Sequence, residues 1–266
     1  MSEAEARPIG LTIAGSDSGG GAGIQADLKT FHAFEVFGTA VVTAVTAQNT
    51  RAVTAVQRIE PAVVRAQLEA LAEDLPPAAT KSGMLADAEI IGVVAEELAG
   101  GRFGPYVLDP VMVAASGARL LEEAAEGALR DRLVPLAALV TPNLYEAAIL
   151  AEMPVEDPGS MRAAGRRILE LGCGAVLVKG GHLAGDTVED VLVSSRGERA
   201  WSAARLPVPN AHGTGCTLSA AIAAGLAHGR ALQDSVDRAL AYTRRAIESA
   251  PPRGAGSRPL NHWAAR

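Results

Sequence analysis

The chain has 266 residues, is 48% hydrophobic and 20% charged, and carries a formal net charge of -6. A chain of this size buries roughly 70–75% of the surface its unfolded form exposes, so stability requires neither a disulfide nor a structural metal. The acidic balance and the lack of a Lys/Arg cluster set nucleic acid aside as a partner, and no apolar run reaches the ~18 residues of a membrane span.

Short apolar, β-branched runs alternate with helical patterns. A strand over Ile9–Ala14 leads into a helix over Gly23–Phe37. Strands over Ala40–Thr46 and Val53–Arg58 precede a helix over Pro61–Asp74. A strand over Ala79–Ser82 is followed by a helix over Asp87–Ala99, and one over Tyr106–Asp109 by a helix over Glu122–Leu133. The strand Ala138–Thr141 runs into helices over Asn143–Ala151 and Pro158–Leu171. After the strand Ala175–Lys179, the strands Val188–Ser194 and Arg199–Ala203 form a hairpin around Ser195-Arg196-Gly197-Glu198. Helices over Thr214–His228 and Leu232–Ser249 follow; in the second, Leu232, Val236, Leu240 and Ile247 form a core-facing stripe. This alternation predicts an α/β fold with a mostly parallel sheet covered on both faces. No linker or repeat divides it, so residues 1–266 read as one domain, with the Pro/Gly-rich stretch 251–266 as a loose tail.

The polar segment Met1–Arg7 has no apolar signal region. Cys173 and Cys216 form no CxxC pair, which fits a reducing cytoplasm. His32, His182, His212, His228 and His262 are scattered, with none at metal-ligand spacing.

Open α/β sheets bind ligands beyond the carboxyl ends of their strands. Two glycine-rich loops fall there. The first, Gly15 to Gly23, contains the GxGxxA match Gly21-Ala22-Gly23-Ile24-Gln25-Ala26. A dinucleotide site would need a tighter turn and an acid ending the next strand, which instead reads into Gln48-Asn49. The second loop, His212-Gly213-Thr214-Gly215-Cys216-Thr217, opens an apolar helix. Its backbone N–H groups and the positive helix end suit an anion such as a transferring phosphoryl group. Cys216 lies in that first turn, where a thiol pKa falls; it serves either as a base toward a substrate hydroxyl or as part of an anion hole. The bland alternative is a tight turn with Thr214 as an N-cap. No GxxxxGK[ST] occurs, so a Walker-type loop is excluded.

Asp109 ends a strand stopped by Pro110, and Asn143 and Glu146 follow Thr141-Pro142. Asp109 and Glu146 have the chemistry to hold Mg²⁺ mostly through water. Asn143 with Glu146 three residues on is equally good helix-start chemistry, and spacing alone favours that reading. Lys179 ends its strand before Gly180-Gly181 and offers a point charge for nucleotide phosphates, or is simply solvated. The convergence of all these groups at strand ends favours a ligand site.

The segments Leu11 to Lys29, Thr46-Ala47-Gln48-Asn49-Thr50, Lys81-Ser82-Gly83-Met84-Leu85, Leu108-Asp109-Pro110-Val111-Met112, Val140-Thr141-Pro142-Asn143, Val178-Lys179-Gly180-Gly181-His182 and His212 to Ser219 occur in one order along the chain. Together they resemble the hydroxymethylpyrimidine/phosphomethylpyrimidine kinases of thiamine biosynthesis. The resemblance implies a ribokinase-like three-layer sandwich with a small β extension over the substrate. It implies two steps that use ATP and Mg²⁺, phosphorylating 4-amino-5-hydroxymethyl-2-methylpyrimidine and then its monophosphate. It places Gln48 on the aminopyrimidine edge, Gly15 and Asp27 near the substrate, and Met84 and Val111 against the ring. Asp109, Asn143 and Glu146 would surround Mg-ATP, Lys179 would lie near the phosphates with Thr214, and Gly213, Thr214, Gly215 and Cys216 would form the anion hole. It also suggests a homodimer.

Three departures stand out: Ala114-Ala115-Ser116-Gly117 where many relatives carry AKSG, Ala211 in place of Thr, and a tail reading Gly254-Ala255-Gly256-Ser257-Arg258-Pro259. Rival functions are a pyridoxal kinase or dual-specificity enzyme, whose substrate is also a hydroxymethyl heteroaromatic, an NAD-dependent oxidoreductase using the GxGxxA match, and a non-catalytic pyrimidine sensor.

Overall fold

A computed structural model of the chain describes residues 7–112, 121, 123–208 and 211–264. The departure at Ala114–Gly117 and the expected start of a helix at Glu122 lie outside them.

The first strand, β1 (Ile9–Asp17), runs three residues past its apolar stretch. After α1 (Gly23–Ala33) come β2 (Phe37–Gln48) and β3 (Val53–Arg58). The expected continuation of α1 to Phe37 fails because Glu35 takes φ 59 and Phe37 opens the pairing with Ile9. Then follow α2 (Pro61–Asp74), β4 (Ala79–Ser82), α3 (Ala88–Ala99), β5 (Tyr106–Leu108), α4 (Glu123–Ala128), β6 (Leu139–Val140), α5 (Leu144–Ala151) and α6 (Pro158–Leu169). The chain continues through β7 (Ala175–Val178), β8 (Thr187–Ser194), β9 (Gly197–Ala204), β10 (Ala211–His212), α7 (Thr214–Ala227), α8 (Leu232–Glu248) and β11 (Arg258–Pro259). The helix expected over Glu122–Leu133 is broken after Ala128 into a π-turn, Leu129–Leu133, and a 3₁₀ turn, Val134–Leu136. Pro135 lacks the N–H that a longer α-helix needs.

Nine strands form one sheet in the order β3-β2-β1-β4-β5-β6-β7-β8-β9. Strands β2, β1, β4, β5, β6 and β7 run parallel, while β3 at one edge and β8 and β9 at the other are antiparallel. The inner parallel strands β1, β4, β5, β6 and β7 are buried on both faces and show no alternation, whereas β2, nearer the edge, alternates. On one face Phe31 of α1, Ile222 of α7 and Val236, Ala239 and Tyr242 of α8 pack together. On the other face lie Val64 and Leu68 of α2, Ile90 and Val94 of α3, Leu150 of α5 and Met161 and Ile168 of α6. The buried stripe of α8 is centred on Val236, Ala239, Tyr242 and Ala246, with Leu232 and Leu240 at its flank. This is the three-layer, ribokinase-like arrangement, and the exposed β3 paired with the distal half of β2 supplies its small extension.

The stretch 251–264 is not loose. Arg258 and Pro259 pair with Ala211 and His212, and the Ser257 N–H donates to the Thr50 carbonyl at 2.7 Å. Leu260 and His262 are buried, and the Tyr242 hydroxyl donates to the His262 carbonyl at 3.0 Å. Glycine composition signals close approach here rather than freedom: a Cβ on Gly256 would stand 1.9 Å from the Thr50 oxygen.

Candidate active site

The parallel strands stop at a common edge, so β1, β2, β4, β5, β6 and β7 present Asp17, Gln48, Met84, Asp109, Thr141 and Lys179 at their carboxyl ends. The two glycine loops meet there as well. A Cβ on Gly213 would lie 1.9 Å from the Gly21 oxygen, and Gly213 itself takes φ 85, so only glycine fits.

Lys179 donates to Asp109 Oδ1 at 2.9 Å, with Asp109 nearly fully buried. Ser219 Oγ and Thr141 Oγ1 each donate to the same carboxylate at 3.3 Å. Burial pushes Asp109 up, but Lys179 and Lys81 outweigh it and hold the carboxyl below its usual range. Burial lowers Lys179, yet Asp109 and Glu146 keep it above its usual range and therefore charged. A Cβ on Gly215 would come within 3.1 Å of Lys179 Nζ and 3.4 Å of Asp109 Oδ2. The second glycine loop is thus pressed directly onto this ion pair. Its helix has no side-chain cap, and the first-turn N–H groups of Thr214, Gly215 and Cys216 have no carbonyl four residues back to receive them.

Asn143 and Glu146 form a full capping box at the start of α5: the Glu146 N–H donates to Asn143 Oδ1 at 3.0 Å and the Asn143 N–H to Glu146 Oε2 at 2.8 Å. The helix-start reading therefore holds, and Thr214 is not an N-cap, that place being taken by Gly213. Glu146 is nevertheless buried, and burial together with Asp109 pushes it up to about 7 against the pull of Lys179. Two mutually repelling carboxylates beside one lysine fit a hard, oxygen-seeking cation that keeps part of its water.

Cys216 departs from expectation. Burial pushes its thiol up to about 11 despite the pull of Lys81, with Asp27 and Asp109 adding to the rise. The helix end does not lower it, because desolvation and two nearby carboxylates exceed that partial charge. Asp27 lies in the interior beside Lys81. It is fully buried, accepting from Lys81 at 2.8 and 3.0 Å and from Thr12 Oγ1 at 2.6 Å. Gly15 and Met84 do come together: a Cβ on Gly15 would touch Met84 Sδ at 3.4 Å. Val111 is half-buried one turn of chain beyond Asp109.

The first glycine loop binds an anion, but its own. Asp17 Oδ1 accepts from the Gly19 N–H at 2.8 Å, and Oδ2 accepts from the N–H groups of Gly21 at 3.1 Å and Ala22 at 2.9 Å. Burial alone would raise Asp17, but His212 and these N–H groups hold it below its usual range. With its donors occupied, the loop has no cradle for a dinucleotide, and the GxGxxA reading falls. Sequence reasoning missed Asp17, His212, Lys81 and Ser219. An Asp ending a strand two residues before glycines is a readable signal for the first. Lys81 pairs across 54 residues of chain and has no local signal.

A family model described as phosphomethylpyrimidine kinase matches residues 17–261. The chain belongs to the phosphomethylpyrimidine kinase family. It is 48% identical over 257 residues to the hydroxymethylpyrimidine/phosphomethylpyrimidine kinase of Synechococcus elongatus, covering 96% of this chain and 97% of that one. It is similar in structure to the phosphomethylpyrimidine kinase of Clostridium difficile, with a TM-score of 0.82 and 41% identity over 91% of this chain and 100% of that one. The pyridoxal kinase of Staphylococcus aureus in complex with AMP-PCP and pyridoxal superposes with a TM-score of 0.90 at 32% identity, over 97% of this chain and 94% of that one. As a member of the phosphomethylpyrimidine kinase family the chain is a phosphotransferase, and ATP is its phosphoryl donor.

Proposed function

We propose that the strand-end cluster transfers a phosphoryl group from Mg-ATP to hydroxymethylpyrimidine and then to its monophosphate, the kinase steps of thiamine biosynthesis that fit the family. One observation carries this reading: the Lys179–Asp109 pair lies at 2.9 Å directly beneath Gly215 at the amino end of α7. Phosphoryl transfer asks little covalent chemistry of a protein and much positioning of charge. The N–H groups of Thr214, Gly215 and Cys216 with Lys179 meet the outer oxygens of the transferring group. Asp109 and Glu146 would hold Mg²⁺ through water; the ion, when bound, neutralises charge on the phosphates. Asn143 stands beside the nucleotide. Gln48 reads the aminopyrimidine edge, and Gly15, Met84 and Val111 line the ring. Burial pushes the Cys216 thiol up to about 11, which favours its protonated form and a place in the anion hole over proton transfer. Asp27 acts from behind, holding Lys81 charged under the site.

A homodimer and a cytoplasmic location belong to the same proposal. Among the described residues no helix is long and apolar enough to cross a membrane. The test offers Mg-ATP with hydroxymethylpyrimidine, its monophosphate and pyridoxal side by side and follows product mass. Mono- and diphosphate from the pyrimidine, with pyridoxal slow, are expected. Pyridoxal phosphate as the main product would keep the kinase chemistry and overturn the role of Gln48.

A further inference from the structure

We infer that Asp17 and His212 fix the orientation of the Gln48 amide and are positioning residues for ring selectivity; this rests on Gln48 being the residue that reads the ring. Asp17 Oδ2 already accepts two backbone N–H groups and lies 3.1 Å from His212 Nε2. An ionised carboxylate only accepts, so this imidazole nitrogen must carry a proton and donate it to Asp17. The same nitrogen lies 3.3 Å from Gln48 Nε2, which can only donate. Two donors cannot pair. A half-turn of the amide resolves the conflict, bringing the Gln48 oxygen to the His212 N–H. It also brings the Gln48 nitrogen to Thr46 Oγ1, 3.1 Å from the far amide atom, whose own proton goes to the Ser16 carbonyl at 2.9 Å.

The one Nε2–H of His212 is then shared between Asp17 Oδ2 and the Gln48 oxygen, and Thr46 links the Gln48 nitrogen to the Ser16 carbonyl. The amide retains one free N–H and one free lone pair, and cannot exchange them without losing two hydrogen bonds. A ring nitrogen beside an exocyclic amine meets that fixed pair on one rigid edge, whereas the adjacent hydroxyl and aldehyde of pyridoxal can bond each other and so compete with it. The ordered carboxylate of the first glycine loop thus sets the donor pattern shown to the substrate. Gly21 permits the contact, since a Cβ there would stand 2.6 Å from His212 Cδ2.

The test is steady-state kinetics with Mg-ATP on the full chain, using hydroxymethylpyrimidine and pyridoxal, for Gln48→Leu, His212→Leu, His212→Gln and the double variant Gln48→Leu/His212→Leu. His212→Leu should raise the pyrimidine KM roughly tenfold, the loss of one hydrogen bond, and lower the pyrimidine-over-pyridoxal ratio while the KM for ATP stays within about twofold. His212→Gln, which keeps an N–H, should recover most of the loss, and the double variant should be no worse than Gln48→Leu. Additive losses, or an ATP KM rising in step, would overturn the inference while leaving Gln48 its role. No effect of Gln48→Leu would remove that role and the inference together. Should His212→Leu not fold, Thr46→Val tests the other end of the chain at constant volume: a rise in pyrimidine KM of about threefold supports the inference and an unchanged value overturns it.

Discussion

In the loop after β1, the N–H groups of Gly19, Gly21 and Ala22 converge on Asp17, and the glycines serve a carboxylate supplied by the chain itself. In the loop before α7, no side chain caps the first turn, and Gly215 lies against the charged pair of Lys179 and Asp109. Glycine followed by a helix start suggests an anion in both places. The identity of the anion turns on one residue: an acid at the end of the preceding strand fills the nest internally, and its lack leaves the nest for a ligand. The first loop therefore contributes rigidity, and in the proposed function the second contributes chemistry.

That division predicts which substitutions cost stability and which cost turnover. The largest effect should come from Asp17→Ala, which strands three backbone donors and His212 in a partly dry loop. Loss of about 3 kcal/mol or more in urea unfolding is expected, and a variant as stable as the parent would erase the contrast. Gly215→Ala should do the reverse. Its methyl would press on Lys179 and Asp109, and a displacement near 1 Å lowers kcat by ~10², while Tm holds or rises because alanine favours a helix. A matching fall in Tm would make the second loop a structural turn like the first.

The tail sharpens the comparison, because His262 bonds Thr217 Oγ1 at 3.0 Å and so anchors the first turn of α7. Burial, with Lys29 nearby, lowers His262 from the ordinary 6.5 to about 4. A buried base with a depressed pKa favours its neutral form in the folded state. Its contribution is complete above pH 6.5 and is lost as pH falls toward 4, by about 2–3 kcal/mol. His262→Gln should flatten urea stability across that window, and an unchanged slope would show that another group titrates. The smallest effect is expected at Cys216. With the thiol protonated, Cys216→Ala should lower kcat less than about tenfold, whereas a proton-transfer base would cost ~10²–10⁴.

Period and propensity within short windows announced the strands and helices: β3, β4 and α2 have the bounds that apolar alternation and flanking turn residues predict. The same local chemistry made the capping box of Asn143 and Glu146 legible, together with the strand-end positions of Asp109 and Lys179. Each of these depends on neighbours a few residues away. What the sequence alone left open involves partners distant along the chain. Lys81 and Asp27 are 54 residues apart, and His212 and Asp17 are 195 apart. The burial that lifts the Cys216 thiol, and the docking of a Pro/Gly-rich tail that composition marks as loose, arise only when separate segments close around them. Hydrogen-bond direction and desolvation are properties of assembled surroundings, so only the tertiary structure decided which glycine loop was filled by its own carboxylate and which has no side-chain cap.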